Sequence, residues 1–180
     1  MDLLTTAFNR LGLPLLVVDD GPVRGRLEAL VGPTVTLLGR QSQQQVEELM
    51  ARCRAFVYAG LEDFSIAPVE TMASGAPVIG LGRGGLLDTV RCAAAGITDP
   101  TGVLFPEQSV ESLVQAVEWF EQERIWRSLD AEAIRAWAER FRPEAFAARF
   151  ESALRAAWSD HQRGCAVAAS DPAEMSGLHL

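Results

Sequence analysis

The sequence predicts an α/β fold, a doubly wound parallel sheet flanked by helices, with further helices closing the C-terminus. Three observations lead there. Short apolar runs alternate with amphipathic stretches, the runs carry no polar face, and glycine or proline follows most of them. Strands buried on both faces read as continuous apolar runs, and alternation with helices is the signature of parallel crossover units.

The elements follow in order. Leu3 to Leu11 places Leu3, Leu4, Ala7 and Leu11 at helical spacing and stops at Gly12. Leu15 to Val18 is an apolar strand closed by the turn Asp19-Asp20-Gly21-Pro22. Val23 to Val31 is helical, and Thr34 to Leu38 is β-prone and ends at Gly39. Ser42 caps a helix to about Arg52, and Ala55 to Tyr58 is a third strand. A loop leads to a short helix from Ile66 to Ala73, followed by the strand Pro77 to Leu81 and a turn at Arg83-Gly84-Gly85. Leu86 to Ala94 is predicted helical, Gly102 to Phe105 a strand, and Val110 to Glu123 an amphipathic helix. Ala131 to Arg140 and Pro143 to Trp158 are the terminal helices. Residues 1–158 are expected to form one domain, with 159–180 a disordered tail. A doubly wound chain usually opens on a central strand, whereas this one opens on a helix, so the domain is expected to be incomplete at its N-terminus.

Composition excludes several chemistries. The net charge is −8, unsuited to general nucleic-acid binding, which depends on cations paired with phosphates. Every basic residue is arginine. Without lysine, neither a Walker-type phosphate loop nor a Schiff base can operate from this chain. Cys53, Cys92 and Cys165 fit no zinc spacing and no disulfide framework. His161 and His179 lie in the polar tail, away from any triad partner. The four tryptophans, Trp119, Trp126, Trp137 and Trp158, read as core or interface aromatics. No apolar run reaches the roughly 18 residues of a membrane span, and the N-terminus does not read as a signal peptide. A cytoplasmic protein with no transmembrane segment is expected.

The segment Leu61-Glu62-Asp63-Phe64-Ser65-Ile66-Ala67-Pro68-Val69-Glu70 joins a strand to a helix, at the edge where doubly wound sheets bind ligands. Proline fits the first helical turn, and the N–H groups of Ser65, Ile66 and Ala67 form an anion site reinforced by the helix dipole. Glu70, one turn past Ile66, is suited to accept two hydrogen bonds from a vicinal diol such as ribose. Glu62 is placed to accept sugar hydroxyls. The same two carboxylates read equally as solvated charges, with Glu62 and Asp63 complementing the dipole.

The stretch EDFSIAPVETMASGAPVIGLGRGGLLDTV, residues 62–90, closely resembles the donor-binding core of the retaining GT-B glycosyltransferases called family 4. That family's motif, Glu, seven residues, Glu, is filled by Glu62 and Glu70. Met72 to Ile79 resembles its helix-turn-strand and Gly82 to Gly85 its glycine turn. Asp20-Gly21-Pro22 resembles its GDGP turn, with Asp19 where glycine is usual. Thr34 to Ser42 and Thr101 to Pro106 resemble its base-binding and late strands, so the likeness covers roughly 2–158. EDFSIAPVE and FPEQSVESL are most similar to mannosyl-transferring members.

The resemblance implies that Glu70 binds the ribose diol and Glu62 faces the donor sugar as the catalytic-site carboxylate. It implies that the backbone N–H groups of Phe64, Ser65 and Ile66 contact sugar hydroxyls and diphosphate, and that Gly39, Arg40 and Gln41 border the nucleobase. It implies a nucleotide diphosphate sugar as donor substrate, with no cofactor and no metal. Two departures stand out. Ser65 replaces the usual glycine, which is strained if φ is positive there and favourable if the position is a helix N-cap. The family's diphosphate-neutralising Arg and Lys, and its acceptor-binding domain, have no counterpart in these residues. The segment Arg91 to Pro100 is also longer than usual and is expected to bulge past the site. Two functions compete: the donor half of a sugar transferase, either paired with a separate acceptor-binding chain or a truncated reading frame, and a non-catalytic module that binds nucleotide or a partner protein.

Overall fold

The computed structural model describes residues 1–18 and 20–169. Asp19, in the first turn, and residues 170–180 of the expected tail lie outside the described residues. Two compact units are present, Met1–Glu139 and Arg140–Leu180.

The first unit is α/β with all strand pairs parallel. Helix α1 (Asp2–Leu11) precedes β1 (Leu15–Val17), then come α2 (Arg24–Glu28), β2 (Val35–Leu37), α3 (Gln43–Arg52) and β3 (Phe56–Tyr58). They are followed by α4 (Ile66–Ala73), β4 (Val78–Leu81), α5 (Leu86–Thr89), β5 (Gly102–Phe105), α6 (Val110–Gln122), α7 (Ile125–Ser128) and α8 (Ala131–Ala138). The predicted strands all form, within a residue or two of their expected ends. The sheet is not continuous, however. β1 pairs with β2, and separately β3, β4 and β5 form a three-stranded sheet in that order. The break falls between β1 and β3, where the common doubly wound order 3-2-1-4-5-6 has its first strand.

One core serves both sheets. Leu4, Ala7 and Phe8 of α1 and Leu113, Val114, Val117 and Phe120 of α6 cluster with Val17, Val35, Ile79, Leu81, Val103 and Phe105. A second cluster, Met72, Val78, Leu86, Val90, Ile134 and Ala138, joins α4, α5 and α8 on β4. Three of the tryptophans are half-buried against these layers. Trp119 and Trp126 pack on the first cluster, Trp137 on the second.

Local signals explain the boundaries. Gly12 ends α1 in the left-handed conformation, φ 66°, and Ser42 with Gln45 forms a reciprocal capping box on α3. Helix α5 is much shorter than the predicted Leu86–Ala94. Past Thr89 the chain is drawn into the sheet: Arg91 N–H donates to the Thr101 hydroxyl at 2.9 Å, Thr101 N–H donates to the Arg91 carbonyl at 2.9 Å, and Cys92 bridges Gly102. Those pairs close Ala93 to Pro100 into a loop with a 3-10 turn at Ala93–Ala95. Helix α7 was not expected; it is a single turn that follows Arg124, which has φ 51°.

The second unit contains α9 (Pro143–Ala169). It runs past Trp158, where a disordered tail was expected to begin. No proline interrupts the stretch before Pro172, and ion pairs Glu151–Arg155 and Asp160–Arg163 brace it at helical spacing. Phe146, Phe150, Leu154 and Trp158, four residues apart in turn, are all exposed on α9.

Candidate functional site

The site begins at the end of β3. Tyr58 closes the strand, and the chain turns through Gly60 and Leu61 into α4. The hydroxyl of Ser65 donates to Glu62 Oε2 at 2.8 Å, and the Tyr58 hydroxyl also hydrogen-bonds that carboxylate. Accepting from Tyr58 and then from Ser65 holds the Glu62 pKa below the usual glutamate value. Tyr58 moves the other way. Its partial burial raises the phenol pKa and the Glu62 charge adds to the rise, while Ser65 opposes it. Glu62 is thus an ionised, oriented carboxylate at an exposed position.

Ser65 is the N-cap residue of α4, with φ −105° and ψ 119°. This resolves the sequence ambiguity: the position is extended, and serine is unstrained. Its hydroxyl is nevertheless committed to Glu62 and caps nothing. The first turn of α4 therefore has no side-chain cap, and its leading N–H groups keep their anion-binding potential. Pro68, at the third helical position, has no N–H to satisfy. Glu70 lies one turn further along α4, exposed.

A glycine pair fixes the loop from the other side. The Gly85 N–H donates to the Glu62 carbonyl at 2.8 Å. A Cβ on Gly85 would lie 2.2 Å from the Asp63 carbonyl oxygen, and one on Gly84 would lie 2.4 Å from that of Glu62. Only glycine allows the turn after β4 to lie directly on the backbone of Glu62–Phe64, and φ 60° at Gly84 adds a second reason. Around this contact, Leu61, Phe64, Ile66 and Leu87 are exposed; Phe64 is 50% and Ile66 65% accessible. Arg83, in the same turn, is exposed. Sequence reasoning missed Tyr58 as a neighbour of Glu62. An isolated tyrosine at a strand end carries no distinguishing pattern.

The predicted nucleobase loop stands on the other sheet, after β2. Gly39 is buried with φ 68°, and a Cβ there would meet the Arg24 guanidinium at 2.5 Å. Arg24 is held by Glu28 at 2.9 Å and Asp20 at 3.5 Å, which raise its pKa further. Gln41 donates from its amide to the Leu38 carbonyl at 2.8 Å, and Arg40 is exposed. The structure thus gathers Tyr58, Glu62, Ser65 and the glycine turn into one network, with Glu70 a helical turn away. Gly39, Arg40 and Gln41 are positioned by contacts of their own.

The family profile described as "Glycosyl transferases group 1" matches residues 1–142. The chain belongs to this family. A GDP-mannose-dependent alpha-mannosyltransferase of Mycobacterium tuberculosis (strain CDC 1551 / Oshkosh) is 34% identical over 89 residues, which are 49% of this chain and 23% of that protein. Among solved structures, sucrose-phosphate synthase from Thermosynechococcus elongatus aligns with TM-score 0.69 and 24% identity, over 88% of this chain and 42% of the other. Anabaena HepE in complex with UDP and glucose aligns with TM-score 0.65 and 19% identity, over 86% of this chain and 44% of the other. At these identities the structural likeness establishes the GT-B type of fold. The chain spans less than half the length of each of these proteins. No helix among the described residues is long and apolar enough to cross a membrane.

Proposed function

We propose that this chain binds a nucleoside diphosphate sugar at the start of α4 and acts as the donor half of a retaining, family 4 glycosyltransferase. The observation that carries this reading is the uncapped first turn of α4 beside an oriented, ionised Glu62. An anion site and a hydroxyl acceptor stand together there, as a diphosphate joined to a sugar requires. Glu70 then takes the ribose diol, Phe64, Ser65 and Ile66 offer main-chain N–H groups, and Gly39, Arg40 and Gln41 border the base. The diphosphate is held electrostatically as the leaving group, with no metal and no cofactor, and Arg83 in the glycine turn is a candidate cation. The likeness to a mannosyltransferase supports a hexosyl donor. HepE, solved with UDP and glucose, supports a nucleotide in the same type of fold.

On this reading transfer occurs in the cytoplasm. The exposed apolar stripe on α9 supports a protein partner, because contiguous apolar surface of that kind marks association sites. The same stripe also favours the second reading, a non-catalytic module that docks on another protein.

Calorimetry with UDP, GDP and their sugars tests the donor site. Binding is expected, with Glu70→Ala weakening nucleotide affinity by about tenfold, the loss of a charge-assisted hydrogen bond or two. Glu62→Ala is expected to weaken sugar discrimination more than binding of the bare nucleotide. Absence of heat at millimolar ligand would sink the reading. Equal and negligible effects of both variants would return the carboxylates to solvated surface charges.

A further inference from the structure

Among the described residues, three groups anchor Glu62, and they differ in what they are attached to. The Glu62 carbonyl accepts from the Gly85 N–H at 2.8 Å, which fixes the backbone. Its carboxylate accepts from the Ser65 hydroxyl at 2.8 Å, three residues further along the same loop. The third anchor, the Tyr58 hydroxyl, comes from the end of β3. Tyr58 pairs in register with Gly80 of β4, stacks on Phe56 with ring centroids 6.4 Å apart, and packs against the second core cluster. Ser65 therefore travels with the loop, whereas Tyr58 ties the carboxylate to the sheet.

Between strand and loop stands Gly60. A Cβ there would lie 2.6 Å from Tyr58 Oη, 2.7 Å from Cζ and 2.9 Å from Cε1. The phenol is thus folded back over the Gly60 backbone, toward the carboxylate it bonds. This contact is unlike those at Gly84 and Gly85, where a methyl would meet main-chain carbonyls. At Gly60 the three nearest atoms all belong to the far end of one side chain, which can swing away. The φ of Gly60 lies outside the left-handed region, so the backbone does not call for glycine either. What glycine protects at this position is the placement of a phenol, not the path of the chain.

We propose that Tyr58, seated over Gly60, is a positioning residue for Glu62: it holds the carboxylate ready for hydroxyls of the donor sugar, and so sets how well the site tells a nucleotide sugar from the bare nucleotide. This rests on the donor-site reading above. An ionised carboxylate has about four acceptor sites and no donor. Tyr58 and Ser65 fill two of them, so about two remain, and only a donor such as a sugar hydroxyl satisfies these. The Tyr58 bond, and after it the Ser65 bond, also keeps the group charged by holding its pKa below the usual glutamate value. A free glutamate surrenders rotamer freedom when it takes a ligand, whereas one already held does not. A bare nucleotide, whose ribose goes to Glu70 on the same reading, does not call on Glu62.

The experiment uses the full 180-residue chain. Tyr58→Phe keeps the ring and its packing and deletes only the hydroxyl. In the ligand-free chain, carbon-detected NMR follows the Glu62 side-chain carboxyl, assigned by its disappearance in Glu62→Gln. Its titration midpoint should move up toward the ordinary glutamate value in Tyr58→Phe. Gly60→Ala should move it the same way by displacing the phenol, and the two changes together should move it no further than Tyr58→Phe alone. Calorimetry with UDP, GDP and their sugars then reads the site. Tyr58→Phe should cut the ratio of sugar-nucleotide to bare-nucleotide affinity by about threefold to tenfold, less than the loss of a whole charge-assisted hydrogen bond, with bare-nucleotide affinity held within about twofold. A carboxyl titration unmoved by Tyr58→Phe would overturn the proposal. So would an unchanged affinity ratio, or a loss that falls equally on the bare nucleotide. If the parent chain binds no nucleotide, the donor-site reading fails and takes the sugar preference with it, while the ligand-free titration alone decides whether Tyr58 holds Glu62.

Discussion

The two halves of the sheet are built to different tolerances. In the β3–β4–β5 half, β4 is wholly buried, and a Cβ on Gly102 would lie 2.0 Å from the Val78 carbonyl oxygen, so backbone rests on backbone. In the β1–β2 half, the middle residue of β1 is largely open to solvent and Thr36 of β2 is exposed. The carboxylate pair and the uncapped helix start are mounted on the first half, and the loop Gly39–Gln41 on the second. The difference teaches that the diphosphate end of the proposed site stands on tightly packed backbone, whereas the base end stands on a more open half-sheet.

The sharpest way to break that comparison is to truncate one leucine in each half. Leu81→Ala, at a residue 1% exposed in β4, should cost about 3 kcal/mol, the usual outcome of a large-to-small change in a packed core. Leu16→Ala in β1 should stay within about 0.5 kcal/mol, as surface changes do. Urea denaturation of the two variants measures both; equal losses would show that the halves are packed alike. Next comes the contact beneath the site. Gly85→Ala should cost about 2 kcal/mol, because the added methyl meets backbone and cannot be relieved by a rotamer change. The same variant should lower nucleotide affinity in calorimetry by displacing Glu62–Phe64. A stable variant with unchanged affinity would mean that the glycine turn is only a turn.

The smallest effect is a titration. Tyr58 is the only tyrosine in the chain, so phenolate absorbance reports this one group. It should titrate above the reference of about 10, and Glu62→Gln should lower it part of the way, leaving the share due to burial. The Glu62 side has the opposite sign. Its carboxyl is depressed in the fold, so its contribution is present above the unfolded value of about 4.3 and is lost as pH falls through the lower folded value. A tyrosine titration indifferent to Glu62→Gln would show that the Tyr58–Glu62 contact does not persist in solution.

Much of this was legible in the sequence, and the particulars show why. The strands were legible because buried parallel strands are apolar on both faces, and α4 because Ser65 and Pro68 mark its first turn. The length of α5 was not. Leu86 to Ala94 has helical periodicity, and what ends the helix is a partner ten residues away in sequence, Thr101 on Arg91. The continuation of α9 was hidden for a different reason. Its polar residues look like tail, and their value lies in i to i+4 pairing along a single helix. At the site, spacing alone left Glu62 and Glu70 readable as solvated charges, and the family resemblance of their surroundings singled them out. The commitment of Ser65 to Glu62 in place of capping was invisible, because a serine before a helix offers the same hydroxyl to either acceptor or donor.

Helix α8 acts on the site from its far end. The Trp137 indole N–H donates to the Thr89 carbonyl at 2.7 Å, where α5 stops, with the Arg91 guanidinium 4.9 Å over the same ring. Arg135 donates to the Ser74 carbonyl at 3.2 Å, where α4 stops. Donors from one helix thus occupy the electronegative poles of the two helices that follow β3 and β4. Quenching those poles leaves the opposite, electropositive ends uncompensated at the ligand edge. Helix α8 is in this sense the return terminal of the circuit that an anionic ligand would close.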